Sequence, residues 1–342
     1  MPRERRHHFV PEFHLGQFAT GRRREVWVFV KRWGKYARRP VASSAVVRGY
    51  YALPGSTDDE RLALEREFAR LENLVAPVLR RLAATSPGPT GLSEVERSNF
   101  AAYAALLHVR GPAYRDDTLK RAQALSKDPE ALGLTDPAEF LRAARRHGFR
   151  GTDEELEWRW LQMLTGLQVG AITIEISGAV SLGGLNAALH RGAPLLLARE
   201  WELLRVGAFP GFVIGDQPVS LFSRGQVAPS IGFGSPDVQV MMPLSDRTLL
   251  IVSDRPRPSL PLLTKVEDGQ GLREPWWAIA NKIAWVTAQR YVWGRTRAAL
   301  ETAESMIRPD LRRRDLRVLD EEQEARRREI ARQRRTERPP SA

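Results

Sequence analysis

The stretch Val238-Gln239-Val240-Met241-Met242-Pro243-Leu244-Ser245-Asp246-Arg247-Thr248-Leu249-Leu250-Ile251-Val252 decides the class of the fold. Its two apolar runs, 238–242 and 249–252, are short and rich in valine, isoleucine and leucine, and read as neighbouring strands of an antiparallel meander. Upstream, Val219-Ser220-Leu221-Phe222 adds another strand. Residues 195–206 and Phe212-Val213-Ile214 read as two more, around the turn Gly-Ala-Phe-Pro-Gly. At the other end of the chain, Val26-Trp27-Val28-Phe29-Val30-Lys31 turns at Gly34-Lys35 and returns through 36–41, a β-hairpin with a basic rim. Tyr50-Tyr51-Ala52-Leu53 reads as a third short strand closed by Pro54-Gly55.

Between these strand regions the apolar period changes to that of a helix. Leu64, Phe68, Leu71, Val75 and Leu79 recur at three and four, one buried stripe that Pro77 is expected to kink. Ser93-Glu94-Val95-Glu96 and Thr152-Asp153-Glu154-Glu155 are capping boxes, and Asp136-Pro137 is an N-cap followed by proline at the first helical position. Near the C-terminus, Glu274-Pro275-Trp276-Trp277 opens a helix expected to run to about Val292. The order predicts an α+β fold, with an antiparallel sheet built from the N-terminal hairpin and the C-terminal meander and a multi-helix middle layer. We expect one domain over 1–308, with the helical insertion at about 58–190. A basic segment follows at 309–342, helical or disordered, and its stretch 319–338 should be dispensable for folding.

Composition narrows the function classes. With no cysteine among 342 residues, disulfides, thiolate metal sites and a thiol nucleophile are excluded. The apolar run 171–189 is interrupted by Glu175, Ser177 and Asn186, so the chain is expected to be cytoplasmic, with no membrane partner. The net charge of +12 is uneven: residues 1–48 carry a surplus of nine positive charges and 326–338 a surplus of five, leaving the body near neutral. Two basic extremities on a neutral body make nucleic acid a candidate partner, through Arg22, Arg23 and Arg24 and the 326–338 tail. Scarce lysine beside abundant arginine also fits a solvated surface with no such partner.

The string His7-His8-Phe9-Val10-Pro11-Glu12-Phe13-His14-Leu15-Gly16-Gln17-Phe18-Ala19 resembles the opening of the proteins grouped as domain of unknown function 4238. Further matches follow in family order: Trp27-Val28-Phe29, Glu72 before Ala76-Pro77, Arg110-Gly111-Pro112, Gly215-Asp216-Gln217-Pro218, Met242-Pro243-Leu244-Ser245, and Asn281 before Tyr291-Val292. Glu12 stands where glutamine is usual, and Gly215-Asp216-Gln217-Pro218 replaces the usual Ser-Asp-Asn-Pro. The resemblance implies a shared fold and no substrate.

Three histidines at 7, 8 and 14 beside Glu12 could supply imidazole and carboxylate for a metal or for acid–base work, though their spacing does not match H-E-x-x-H. Asp216, after an apolar run and before Pro218, is the second candidate, against the alternative of a carboxylate that merely closes a turn. Glu72 and Arg110 could act on a substrate or form a buried salt bridge, and Asn281 could orient a ligand or cap its neighbours. Ile231-Gly232-Phe233-Gly234-Ser235-Pro236 lacks the third glycine of a dinucleotide loop, and neither a phosphate-binding loop nor G-x-S-x-G occurs. The leading reading is a metal-dependent phosphodiesterase or nuclease-like enzyme acting on nucleic acid, with His8, Glu72 and Asp216 catalytic around a divalent metal. In it, His7, Arg110 and Asn281 bind substrate. The alternatives are a non-catalytic nucleic-acid-binding or regulatory module and a small-molecule enzyme of a specialised pathway. His8 is further expected to lie near Asp216.

Overall fold

The two runs of the opening stretch pair antiparallel, with Pro243 opposite Leu249 and Val240 opposite Val252. The computed structural model describes residues 6–48, 58–130, 132–172, 180–207, 211–223, 227, 231–254 and 276–307. The first part contains β1 (Arg6–His8), α1 (Glu12–Leu15), β2 (Glu25–Val30), β3 (Lys35–Pro40) and β4 (Val46–Arg48). Helices follow: α2 (Asp58–Ala84), a two-residue β5 (Gly88–Pro89), α3 (Glu94–Arg110), α4 (Pro112–Leu125), α5 (Pro137–Arg146), α6 (Asp153–Gln168) and α7 (Val180–Ala187). A π-helical turn, Ala188–Gly192, joins α7 to α8 (Ala193–Leu197). The last part is β6 (Glu200–Arg205), β7 (Ile214–Gly215), β8 (Ser220–Phe222), β9 (Gln239–Pro243), β10 (Thr248–Ser253), α9 (Trp276–Thr287), β11 (Tyr291–Gly294) and α10 (Arg297–Ser305). The fold is α+β. Among the described residues no helix is long and apolar enough to cross a membrane.

The strands divide between two principal antiparallel sheets where a single one was expected. One has the order β5-β6-β10-β9-β8 and holds the meander; the other, β3-β2-β11-β7, holds the hairpin. Every residue of β10 is buried because the meander sheet is covered on both faces. Leu250 and Val252 pack with α2, α3 and α8, through residues such as Leu79, Phe100 and Leu196. Leu249 and Ile251, alternating with them, pack with Ile279 and Ile283 of α9. Ala284 and Trp285, from the end of the same helix, and Ala288 just after it pack with Phe29 and Val292 of the hairpin sheet and with Val213 in the loop before β7. Thus α9 fills the space between the sheets. The hairpin sheet's other face, with Val26, Val28 and Val30, is covered by Phe9, Val10, Leu15 and Phe18. The N-terminal segment is therefore core, and its apolar density has a physical reason.

Several boundaries move. The helix expected to run to about Val292 stops at Thr287, and Tyr291–Gly294 is a strand pairing with both β2 and β7. The expected strand 195–206 begins as α8 and is extended only from Glu200. Phe212 and Val213 are buried loop, with the strand starting at Ile214. Both capping boxes form, Ser93 with Glu96 and Thr152 with Glu155, and the Asp136 side chain accepts from the Ala138 N–H. The expected strand 50–53 and the tail 309–342 lie outside the described residues.

Candidate functional site

Asp216 is buried at the end of β7, and its two oxygens accept from the backbone N–H groups of Gln289, Arg290 and Tyr291 at 2.8, 2.6 and 3.1 Å. These are the residues that turn the chain from α9 into β11. Burial pushes the carboxyl pKa up, against the opposing pull of the three N–H donors and Lys31. Asn281 works in the same way one layer over: its Oδ1 accepts from Val213 N–H at 2.9 Å and its Nδ2 donates to the Gly211 carbonyl at 2.9 Å. Both side chains fasten α9 and its exit to the 211–216 loop.

Glu72 and His8 meet on Arg110. Its guanidinium donates to Glu72 Oε1 at 2.7 Å and to the His8 carbonyl at 2.6 Å, and lies over the Phe68 ring at 4.7 Å. Among the described residues, Nε2 of His8 is buried without a hydrogen-bond partner. His7 enters through its backbone, opposite Val47 in the β1–β4 pair. His14 is fully buried between Tyr103 (hydroxyl to Nδ1, 3.1 Å) and the Pro243 carbonyl (Nε2, 2.8 Å). Because a carbonyl only accepts, Nε2 carries the proton and Nδ1 accepts from Tyr103. Desolvation lowers the His14 pKa to about 4, opposed by the Pro243 bond, so the ring is neutral. Among the described residues no three His, Asp or Glu side chains are grouped so as to hold one metal ion, His8, Glu72 and Asp216 included. Arg22, Arg23 and Arg24 are exposed on the turn before β2, and Arg24 pairs with Glu12 at 3.5 Å.

Arg110-Gly111-Pro112 and Gly215-Asp216-Gln217-Pro218 meet instead beside His108, a residue without a candidate role in the sequence. Gln217 lies against Gly111 so closely that a Cβ there would stand 1.8 Å from its Oε1, which is why the bend after Arg110 is glycine. From that position Gln217 Nε2 donates to the His108 carbonyl at 2.7 Å and lies 3.3 Å from the Val219 carbonyl. His108 Nδ1 stands 3.0 Å from the same Val219 oxygen and 3.0 Å from Gln217 Nε2. The tautomer protonated on Nδ1 satisfies Val219 and leaves the lone pair on Nε2. Burial lowers the pKa of His108, opposed by the Val219 bond, so the ring is neutral at pH 7. The rings of Tyr114 and Phe233 flank it edge-on, at 5.9 and 5.1 Å.

His108 lines a cleft of about 590 Å³, within the size range of small-molecule sites. One wall is the α4 face carrying Tyr114, Asp117, Thr118, Arg121, Ala122 and Leu125. The facing wall carries Gly184, Ala187, Ala188, Arg191, Gly192 and Leu195, from α7 through the π-helical turn into α8. Each set has the three-and-four spacing of one helix face. Residues 231–234 complete the lining. Two glycines let the aromatic rings settle on the wall. A Cβ at Gly184 would meet the Tyr114 hydroxyl at 2.7 Å, and one at Gly192 would meet Phe233 at 3.0 Å. Isolated π-helical turns are concentrated at functional sites, and this one borders the cleft.

The family model for proteins of unknown function (DUF4238) matches residues 6–298. The chain belongs to the DUF4238 family. No curated protein and no solved structure matches it. Within this DUF4238 chain, the fold places the Arg110-Gly111-Pro112 and Gly215-Asp216-Gln217-Pro218 pieces in contact through Gln217 and Gly111. The sequence signal for His108 is its position two residues before Arg110; the second wall has none, since Leu195 reads as strand in the sequence and is helix in the fold.

Proposed function

We propose that the protein binds a small organic molecule in the cleft beside His108 and performs acid–base chemistry on it, His108 Nε2 taking or returning the proton. The observation that carries this reading is the state of the His108 ring. Its Nδ1 is anchored on a backbone carbonyl, burial keeps it neutral, and the residue lines a cleft of ligand size. With the Nδ1 proton donated to the Val219 carbonyl, Nε2 carries the lone pair that a general base requires. Metal-dependent phosphodiester cleavage by His8, Glu72 and Asp216 has weaker support. Asp216 is occupied by three backbone N–H groups and Glu72 by Arg110.

The test is ring-selective histidine NMR on the full chain during a small-molecule screen, followed by turnover assays on the binders. We expect binders that move the His108 ring signals, and a His108→Gln variant that still binds them but no longer turns them over. Binders that leave the His108 signals unmoved, or undiminished turnover in the variant, would overturn the reading. A nucleic-acid-binding reading keeps one specific observation in its favour, the exposure of Arg22, Arg23 and Arg24 on a single turn.

A further inference from the structure

Resting on that reading of the cleft, we infer that its ligand is a monoanion, a carboxylate carried on an apolar body, and that Arg191 recognises the charge. Among the described residues the charged side chains of the lining are Asp117, Arg121 and Arg191, and His108 is neutral, so two arginines face one aspartate. Arg121 Nε sits 2.8 Å from Asp117 Oδ2, one turn apart on the same helix, and its charge is offset there. The remaining positive charge is Arg191, which has no ion pair with any other described residue. One net positive charge between low-dielectric walls matches a single carboxylate. A phosphate dianion would call for a second cation.

Arg191 stands on a wall of small residues. Gly184, Ala187, Ala188 and Gly192 present almost no side chain, and Leu195 is apolar, so among the described residues Arg191 is the one charged group on that face. A small-residue wall leaves a planar guanidinium room to approach a carboxylate with two parallel N–H bonds. The rest of the ligand meets an aliphatic lining. Leu125 and Leu195 line the cleft although they are 55% and 39% exposed, and Ile231 lies beside them in the lining. An apolar body would remove that aliphatic surface from water.

The experiment compares 2-naphthoate with 2-naphthamide, two probes of one shape that differ in charge. Each is titrated into the wild-type chain, Arg191→Gln and Arg145→Gln, with His108 ring signals as the readout. Arg145 pairs with Asp153 outside the cleft, so its variant removes one positive charge at a distance. In wild type the carboxylate should bind about tenfold more tightly than the amide, the size expected of one charge-assisted pair. Arg191→Gln should abolish that preference and Arg145→Gln should keep it. If carboxylate and amide bind equally while both move the His108 signals, the anion assignment is overturned and the cleft reading stands. If Arg191→Gln keeps the preference, Arg191 is not the recognising residue. If neither probe moves His108, the carboxylate-on-an-apolar-body assignment is overturned, and the cleft reading passes to the screen described above.

Discussion

His14 shows how a residue that looks like chemistry can be architecture. Its ring ties the N-terminal segment to α3 through Tyr103 and to the end of β9 through Pro243, three parts of the chain distant in sequence. Burial carries its pKa from the ordinary 6.5 to about 4, so between those values the unfolded chain binds a proton that the folded one does not. Stability therefore rises with pH across the window from about 4 to 6.5 and is flat above it. The slope for this one group approaches about 1.4 kcal/mol per pH unit. Urea titrations at pH 4.5 and 7 should show a smaller pH dependence in His14→Gln than in wild type. His108, displaced in the same direction, will retain part of the slope in the variant. Equal pH dependence in the two proteins would mean that His14 is protonated in the fold.

At the scale of elements, α9 is the piece that both sheets share, and its closest approach is to β7. A Cβ at Gly215 would stand 2.7 Å from the Ala284 carbonyl oxygen and 2.9 Å from the Ala288 Cβ. The glycine and the two alanines together set the helix against the strand. Gly215→Ser should therefore destabilise this chain by about 1–3 kcal/mol through overpacking, read as a lower urea midpoint with an unchanged m-value. An unaltered midpoint would show that α9 can shift at little cost. Immediately after the helix, Asp216 clamps the turn that starts β11. That clamp is why the apolar Tyr291-Val292-Trp293 run leaves the helix and becomes a strand between β2 and β7.

For the whole molecule, the open question is whether the uneven charge has a partner. If Arg22, Arg23 and Arg24 grip a nucleic-acid backbone, log affinity should fall against log salt with a slope of about −3, one increment of roughly −0.9 per phosphate. Replacing the three by glutamine should flatten that slope. Binding that does not respond to salt, or no binding at low salt, would leave the arginines as solvated surface. The same basic turn sits on the hairpin sheet, whereas the His108 cleft is built from α4, the segment from α7 to α8, and the 231–234 loop. The two readings therefore predict effects in different residues and can be separated by mutation.

The sequence by itself determined the class of the fold and most of its pieces, because those depend on neighbours within a few residues. The stripe of α2, the two capping boxes, the β2–β3 hairpin and the β9–β10 runs each declare themselves through local periodicity or local hydrogen bonding. Tertiary structure alone decided how the strands are shared. The pairing of Val28 with Trp293 joins residues whose hydrogen bonds no local pattern can announce. It also decided the site. Asp216 and Asn281 look chemical in sequence, yet both spend their polar atoms on backbone groups. His108 lies in a helix apolar on most sides and looks like core. It becomes a candidate base because the Val219 carbonyl, brought in from the late sheet, holds one nitrogen while two facing helices leave a cleft beside the ring.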